Sequence, residues 1–235
     1  MRWLNALLDL LFPPKCCICG RILEHPGICP RCAEKLPRTD TEAVQTLEGG
    51  LRVASALWYE GEVREALLRF KFHGARWSAG PLGELIAEIA AEEFSGEFDL
   101  VTWTPVSKKR RKKRGYDQAE LLAESACRLW DTKPVRLLEK GIDNPAQSGL
   151  SDESARRANV LGVYDPVDPD RIRGGRILLV DDICTTGSTL RECARVLRDA
   201  GAAEVVAATV ARTRKKDGKQ AACGRNTQEN GTNCR

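Results

Sequence analysis

Two adjacent carboxylates, Asp181 and Asp182, are followed closely by Thr185-Thr186-Gly187-Ser188-Thr189, four hydroxyls around one glycine. Ahead of the acids, Arg176 to Val180 reads as a buried strand. Behind them Leu190, Ala194 and Leu197 mark a helix, so Asp181 to Thr189 is expected to be the loop between the two. Such a loop lies at the carboxyl end of a sheet, where α/β proteins hold ligands. Successive N–H groups at a helix N-terminus favour an anion, and Gly187 lets a phosphate approach the main chain. The two carboxylates supply acceptors for a vicinal diol. Neighbouring strand residues face opposite ways, so both acids can serve one sugar only where the strand ends and the chain turns. A ribose 5-phosphate meets both requirements. The plainer alternative is that the acids cap a turn and the Ser/Thr cluster caps the helix. Two rival chemistries fail. A nucleoside triphosphatase needs G-x-x-x-x-G-K-[ST], and no Lys here precedes Ser or Thr. A phospho-acceptor receiver needs a full domain after its acids, and only 53 residues follow Asp182.

Cys16, Cys19, Cys29 and Cys32 form two C-x-x-C pairs. Four thiolates so spaced suit a structural Zn²⁺, which supplies the folding energy that so short a segment cannot take from a core. A disulfide or redox pair is the alternative, and no thioredoxin-like context surrounds these residues. Cys17 could compete as a ligand, and His25 could be a surplus one. Neither His25 nor His73, the only histidines, is assigned a role.

The third cluster is Lys108 to Arg114, seven consecutive basic residues following a strand that ends at Pro105. The net charge is +4, yet removing this run and a tail from Arg212 that carries seven basic against two acidic residues leaves −8. Positive charge so concentrated points to a local anion site rather than a uniformly basic coat. A loop is expected here, with a phosphate group, a nucleic-acid backbone or plain solvent as the alternatives. Tyr116 is the only aromatic close by, so no base-stacking platform is evident.

The elements that must carry these clusters alternate. Leu51–Tyr59 reads as a strand, Glu62–Phe72 and Leu82–Phe94 as amphipathic helices, and Phe98–Thr104 as a strand. A helix through Ala119, Leu122, Ala126 and Leu129 and a short strand near Val135–Leu138 come next. The last unit is βαβ, with Gly201 ending its helix and Val205–Val210 as its strand. The expected fold is α/β, a doubly wound, mostly parallel sheet with a small four-cysteine zinc module in front. Residues 1–37 would be a helix and zinc-ribbon-like module, 38–50 a linker, 51–212 the main domain and 213–235 a disordered tail. The apolar stretch Trp3 to Phe12 is ten residues long and broken by Asp9, too short to span a membrane. No integral membrane span and a cytoplasmic location are expected.

The strand-Asp-Asp-T-T-G-S-T pattern resembles the phosphoribosyl diphosphate (PRPP) signature of type I phosphoribosyltransferases. In order along residues 1 to 212, LFPPKC-x-x-C, WYEG-x-V-x-x-x-L-x-x-x-KF-x-G, RGYDQ, NPAQSGLSDESARRANVLG and VDDICTTGST resemble the ComF family of competence-associated proteins. The resemblance implies PRPP as ligand, with Asp181 and Asp182 on the ribose hydroxyls and Thr185 to Thr189 on the 5′-phosphate. Lys108, Lys109, Arg110 and Arg114 would lie on the diphosphate in a flexible loop, and Mg²⁺ would arrive with the substrate. Arg156, Arg157 and Asn159 become candidates by the same route. It also implies partners in DNA uptake, single-stranded DNA or the uptake machinery. Either a transferase or a non-catalytic PRPP sensor fits, since no residue stands out as the base for an acceptor. Asp117 stands where the family often has Asn.

Overall fold

The structure, a computed structural model, describes residues 13–141 and 162–214. The apolar stretch at 3–12, the run with Arg156, Arg157 and Asn159, and the tail from 215 lie outside the described residues.

Five strands form one sheet. They are β1 (Val44–Thr46), β2 (Arg52–Trp58), β3 (Leu100–Trp103), β6 (Arg176–Cys184) and β7 (Glu204–Arg212), in the order β1-β2-β7-β6-β3. All neighbours are parallel except β1, which runs antiparallel along the edge of β2. Helices cover both faces, so the central strands read as unbroken apolar runs instead of alternating ones. On one face Leu178, Val180, Val206 and Ala208 pack under α2 (Gly61–Phe72), α3 (Ala79–Glu93) and α5 (Gln118–Leu129). Ile177, Leu179, Val205 and Ala207 on the other face pack under α7 (Ser188–Asp199). From Ile177 to Val180, even-numbered residues of β6 therefore face α2, α3 and α5 and odd-numbered ones face α7; past the acidic pair the parity reverses, with Ile183 against the first cluster and Cys184 in the second. Where α3 crosses α5, a Cβ on Gly83 would lie 2.4 Å from the Ser125 Cβ, so this crossing requires a glycine. The doubly wound, mostly parallel α/β fold expected from the βαβ periodicity is the one observed.

Four local expectations are corrected. The 38–50 segment contains β1, and Thr39 and Pro37 exchange backbone bonds with Ala56 and Trp58, so it joins the sheet instead of linking to it. Strand β6 does not stop at Val180. It continues through the acidic pair to Cys184, because β7 goes on offering partners there, with Asp181 opposite Thr209 and Cys184 opposite Arg212. The strand near Val135–Leu138 is β4 (Leu138–Lys140), which pairs with β5 (Tyr164–Pro166) in a separate antiparallel pair.

The fourth correction is the basic run, a helix, α4 (Lys108–Arg114), and not a loop. Ser107 caps its N-terminus by accepting from the Arg110 N–H, and Gly115 closes it at φ 80°. Arg111 reaches Glu120 at 2.9 Å and Arg114 donates to Gln118 at 2.7 Å. These contacts on α5 offset the repulsion among like charges one turn apart. The short helices α1 (Pro30–Ala33) and α6 (Pro169–Ile172) complete the fold.

Candidate functional site

Because β6 outlasts β3, whose pairing ends at Trp103–Val180, the last turn of the strand leaves the sheet's interior with its side chains at the carboxyl edge. A cleft of about 330 Å³ opens there, lined by Asp181, Asp182, Thr185, Thr189, Thr104, Lys71, Arg110, Arg114, Lys140 and Tyr164 among others. The two acids point to opposite faces and still share this cleft. Their union on one ligand does not need the turn expected at Asp181.

Asp182 is 6% exposed and faces α2, where the Lys71 Nζ lies 2.9 Å from one carboxylate oxygen and 3.2 Å from the other. Burial opposes the charge of Lys71, but the attraction of Asp182 outweighs it and holds the ammonium above its usual range. Asp181 accepts from the Asp182 N–H at 2.8 Å. Burial and then the charge of Asp182 push its carboxyl up to about 7, against the opposing pull of Lys71. One strand thus carries two unlike carboxylates, one paired with an ammonium and one close to its titration point at neutral pH.

The turn between β6 and α7 begins at Thr185, later than the loop expected from Asp181. Gly187 sits at φ 71° as the N-cap of α7 and has no side chain to cap it, while the Ser188 N–H donates to the Thr186 Oγ1 at 3.4 Å. A Cβ there would lie 2.3 Å from a Leu47 methyl on the β1–β2 turn. Thr186 and Ser188 bond each other at 2.8 Å, while Thr185 and Thr189 line the cleft.

The basic helix divides. Arg110 and Arg114, one turn apart, line the cleft, whereas Lys108 and Lys109 are exposed and do not. Arg114 also stacks its guanidinium 5.1 Å from the centre of the Phe72 ring. A second lobe of about 230 Å³ lies between Lys71, Phe72, Arg110, Lys113, Arg114 and Tyr116. The wall before α4 is fixed by Asp117, which accepts from Val106 at 2.9 Å and caps α5 through Ala119 and Glu120. Burial pushes Asp117 up to about 6.

Lys71, Lys140, Tyr164 and Thr104 were not singled out from the sequence. Only Lys71 had a usable signal, as the first residue of the KF-x-G motif. His73 lies outside the cleft lining.

At the other end, the Sγ atoms of Cys16, Cys19, Cys29 and Cys32 all lie within 4.8 Å of one another. A tetrahedral Zn²⁺ with bonds of about 2.3 Å sets sulfurs roughly 3.8 Å apart, and Cys19 and Cys29 stand 3.8 Å apart. The donor set therefore fits zinc. The Cys29 N–H donates to the Cys16 Sγ at 3.3 Å, and such donors bring Cys16 down to about 7 although burial opposes its thiolate. Cys17 is not in the group; burial pushes it up to about 12, and it packs with Ile18 in the core under α2 and α3. His25 is not in the group either.

Residues 83–231 match the phosphoribosyl transferase domain family and residues 7–43 the double zinc ribbon domain. The chain belongs to the phosphoribosyl transferase domain family. Competence protein F of Haemophilus influenzae is 31% identical over 144 residues, 58% of this chain and 62% of that protein. Competence protein ComFC of Bacillus subtilis is 29% identical over 81% of this chain and 74% of its own length. DNA utilization protein YhgH of Escherichia coli is 26% identical over 84% of this chain and 90% of its own. The chain thus spans less than two thirds of the Haemophilus relative. Among solved structures, the glutamine PRPP amidotransferase from B. subtilis complexed with ADP and GMP is 24% identical, with a TM-score of 0.38 over 58% of this chain and 26% of that one. The ComF resemblance of the ordered motifs holds, with a zinc ribbon preceding a phosphoribosyltransferase domain. Strand β2 and helix α2, which supplies Lys71, precede the matched phosphoribosyltransferase residues and still complete its sheet and cleft.

Proposed function

We propose that this phosphoribosyltransferase domain binds PRPP in the β6 cleft and transfers its phosphoribosyl group, with Mg²⁺ and release of diphosphate, in a cytoplasmic step of DNA uptake or use. The observation that carries this reading is the convergence on one cleft of two carboxylates, a glycine-centred turn at a helix N-terminus and the cations Lys71, Arg110, Arg114 and Lys140. Asp181 and Asp182 accept from the ribose hydroxyls, and their charge favours the cationic character that develops at the anomeric carbon. Thr185 to Thr189 anchor the 5′-phosphate, which fixes the sugar and removes orientational freedom before reaction. Arg110 and Arg114 face the diphosphate, whose charge rises as it leaves. The hard oxygen donors here suit Mg²⁺, which keeps several waters and is held through substrate phosphates and one or two carboxylates; bound so, it neutralises the diphosphate.

Calorimetry with PRPP and Mg²⁺ tests the site. Asp181→Asn/Asp182→Asn is expected to weaken binding at least about tenfold through lost charge-assisted hydrogen bonds, and unchanged affinity would reject the cleft. Diphosphate release measured with candidate bases and with single-stranded DNA then tests transfer.

A second reading has its own support. The outer face of α4 exposes Lys108, Lys109 and Lys112, and two of the relatives' names refer to competence and DNA utilization. A PRPP sensor that also holds single-stranded DNA through this face would need no base for an acceptor. Equal DNA binding after neutralising Lys108 to Arg114 would remove it.

A further inference from the structure

Asp182 does not meet a ribose diol with its full acceptor capacity, because Lys71 already occupies a position on each oxygen. An ionised carboxylate has about four acceptor positions on its two oxygens. The Lys71 ammonium is bonded to both oxygens from a residue 111 positions away in the chain. The pair is enclosed, with side-chain exposure of 27% for Lys71 and 8% for Asp182. Yet Lys71 does not belong to the acidic lobe alone. It lines the acid-bearing lobe and also the basic one formed with Arg110, Lys113 and Arg114. An ammonium on a flexible four-carbon stem can turn between two such neighbours, which a rigid guanidinium fork does less readily. A diphosphate in the basic lobe is a stronger attractor than a single carboxylate, since it carries several charged oxygens.

We infer that Lys71 is an exchange cation: it closes Asp182 in the ligand-free protein and passes to the diphosphate of the bound substrate, releasing Asp182 to accept from a ribose hydroxyl. This rests on the PRPP reading of the cleft and adds to it a residue that touches the leaving group. It also gives the cleft an order of assembly, in which the diphosphate must be present before both carboxylates are available. Ribose 5-phosphate, which lacks that group, meets a half-closed site.

Calorimetry with inorganic diphosphate and Mg²⁺ separates an exchange cation from a fixed ion pair. In Asp182→Asn, Lys71 is freed, and diphosphate binding is expected to tighten by about threefold or more. The gain disappears in Lys71→Met/Asp182→Asn. Compared at about pH 9, where the Asp181 carboxyl is charged, Asp181→Asn removes a carboxylate charge from the same cleft without freeing Lys71 and serves as the charge control. Lys71→Met alone is expected to weaken diphosphate binding by about tenfold while leaving ribose 5-phosphate binding undiminished. Equal gains in the two single Asn variants, or a gain that survives in the double variant, would overturn the exchange. The double variant leaves no unpaired buried charge, so the comparison stands even where Lys71→Met fails to fold. Failure of the wild type to bind PRPP and ribose 5-phosphate at all would reject the cleft reading instead, independently of these diphosphate comparisons.

Discussion

Asp181 and Asp182 are neighbours of one chemical type, yet the strand gives them different lives. Asp182 turns toward α2 and pairs with Lys71; Asp181 turns toward α7, and burial with the neighbouring charge lifts its carboxyl to about 7. An unfolded Asp titrates near 3.9, so the folded chain holds this proton more tightly. The stability it contributes is therefore fully present below about pH 4 and is lost as pH rises through about 7. Asp181→Asn should remove that dependence. Urea unfolding is expected to show the variant gaining on wild type by on the order of 1 kcal/mol between pH 5 and pH 8, a value discounted because the carboxyl borders the cleft. A stability difference that stays constant with pH would mean that Asp181 is not perturbed. In the same window PRPP affinity of the wild type should rise with pH, as the ionised form is the better acceptor.

At the scale of the element, the seven-residue basic run shows how a helix sorts charges that a loop would leave equivalent. The 3.6-residue period brings Arg110 and Arg114 to the cleft and turns Lys108 and Lys109 outward. Arg110→Gln or Arg114→Gln is expected to weaken PRPP binding by about ten- to a hundredfold, the range of a charge-assisted hydrogen bond. Lys108→Gln/Lys109→Gln should change it by no more than about twofold at physiological salt, where exposed charges are screened within about 8 Å. Isothermal titration of the variants side by side measures the difference, and equal losses on both faces would show that α4 acts as diffuse charge. Strand β6 makes a related point. Its two extra residue pairs with β7 beyond Asp181 carry Ile183 and Cys184 as strand, so the phosphate turn begins only at Thr185.

Across the whole molecule, the zinc ribbon and the phosphoribosyltransferase domain share one core. Cys17 and Ile18 are buried with α2 and α3, and Arg69 of α2 donates to the Ile18 carbonyl. Cys32 lies 3.7 Å from Glu62 in the first turn of α2, and Lys71 lies in its last turn, so the metal site and the cleft meet the two ends of one helix. Cys29→Ser or Cys32→Ser is expected to remove one equivalent of zinc per chain by elemental analysis. It should also lower the unfolding midpoint of the entire protein by roughly 6–12 °C, as a loss of about 3 kcal/mol would in a chain of this size. A separate low-temperature transition, with the main melt unmoved, would show that the ribbon folds independently.

The sequence by itself determined the parts that are local. The apolar run of β6, the helix of α7, the glycine between them and the two C-x-x-C pairs lie within short stretches whose periodicity and spacing express their structure directly. It also determined the fold class, because strand and helix alternate in a chain whose parallel strands must be buried on both faces. Only the tertiary structure decided the rest. Lys71 meets Asp182 across 111 residues, and nothing in the spacing of either residue encodes the other. That β6 runs on to Cys184, that 38–50 adds an edge strand and that the basic run is helical each depend on a partner supplied from elsewhere, namely β7, β2 and the Glu120–Gln118 face of α5. Hydrogen-bond partners and burial override local preference at such places, and there the carboxylates, the cations and the turn become one site.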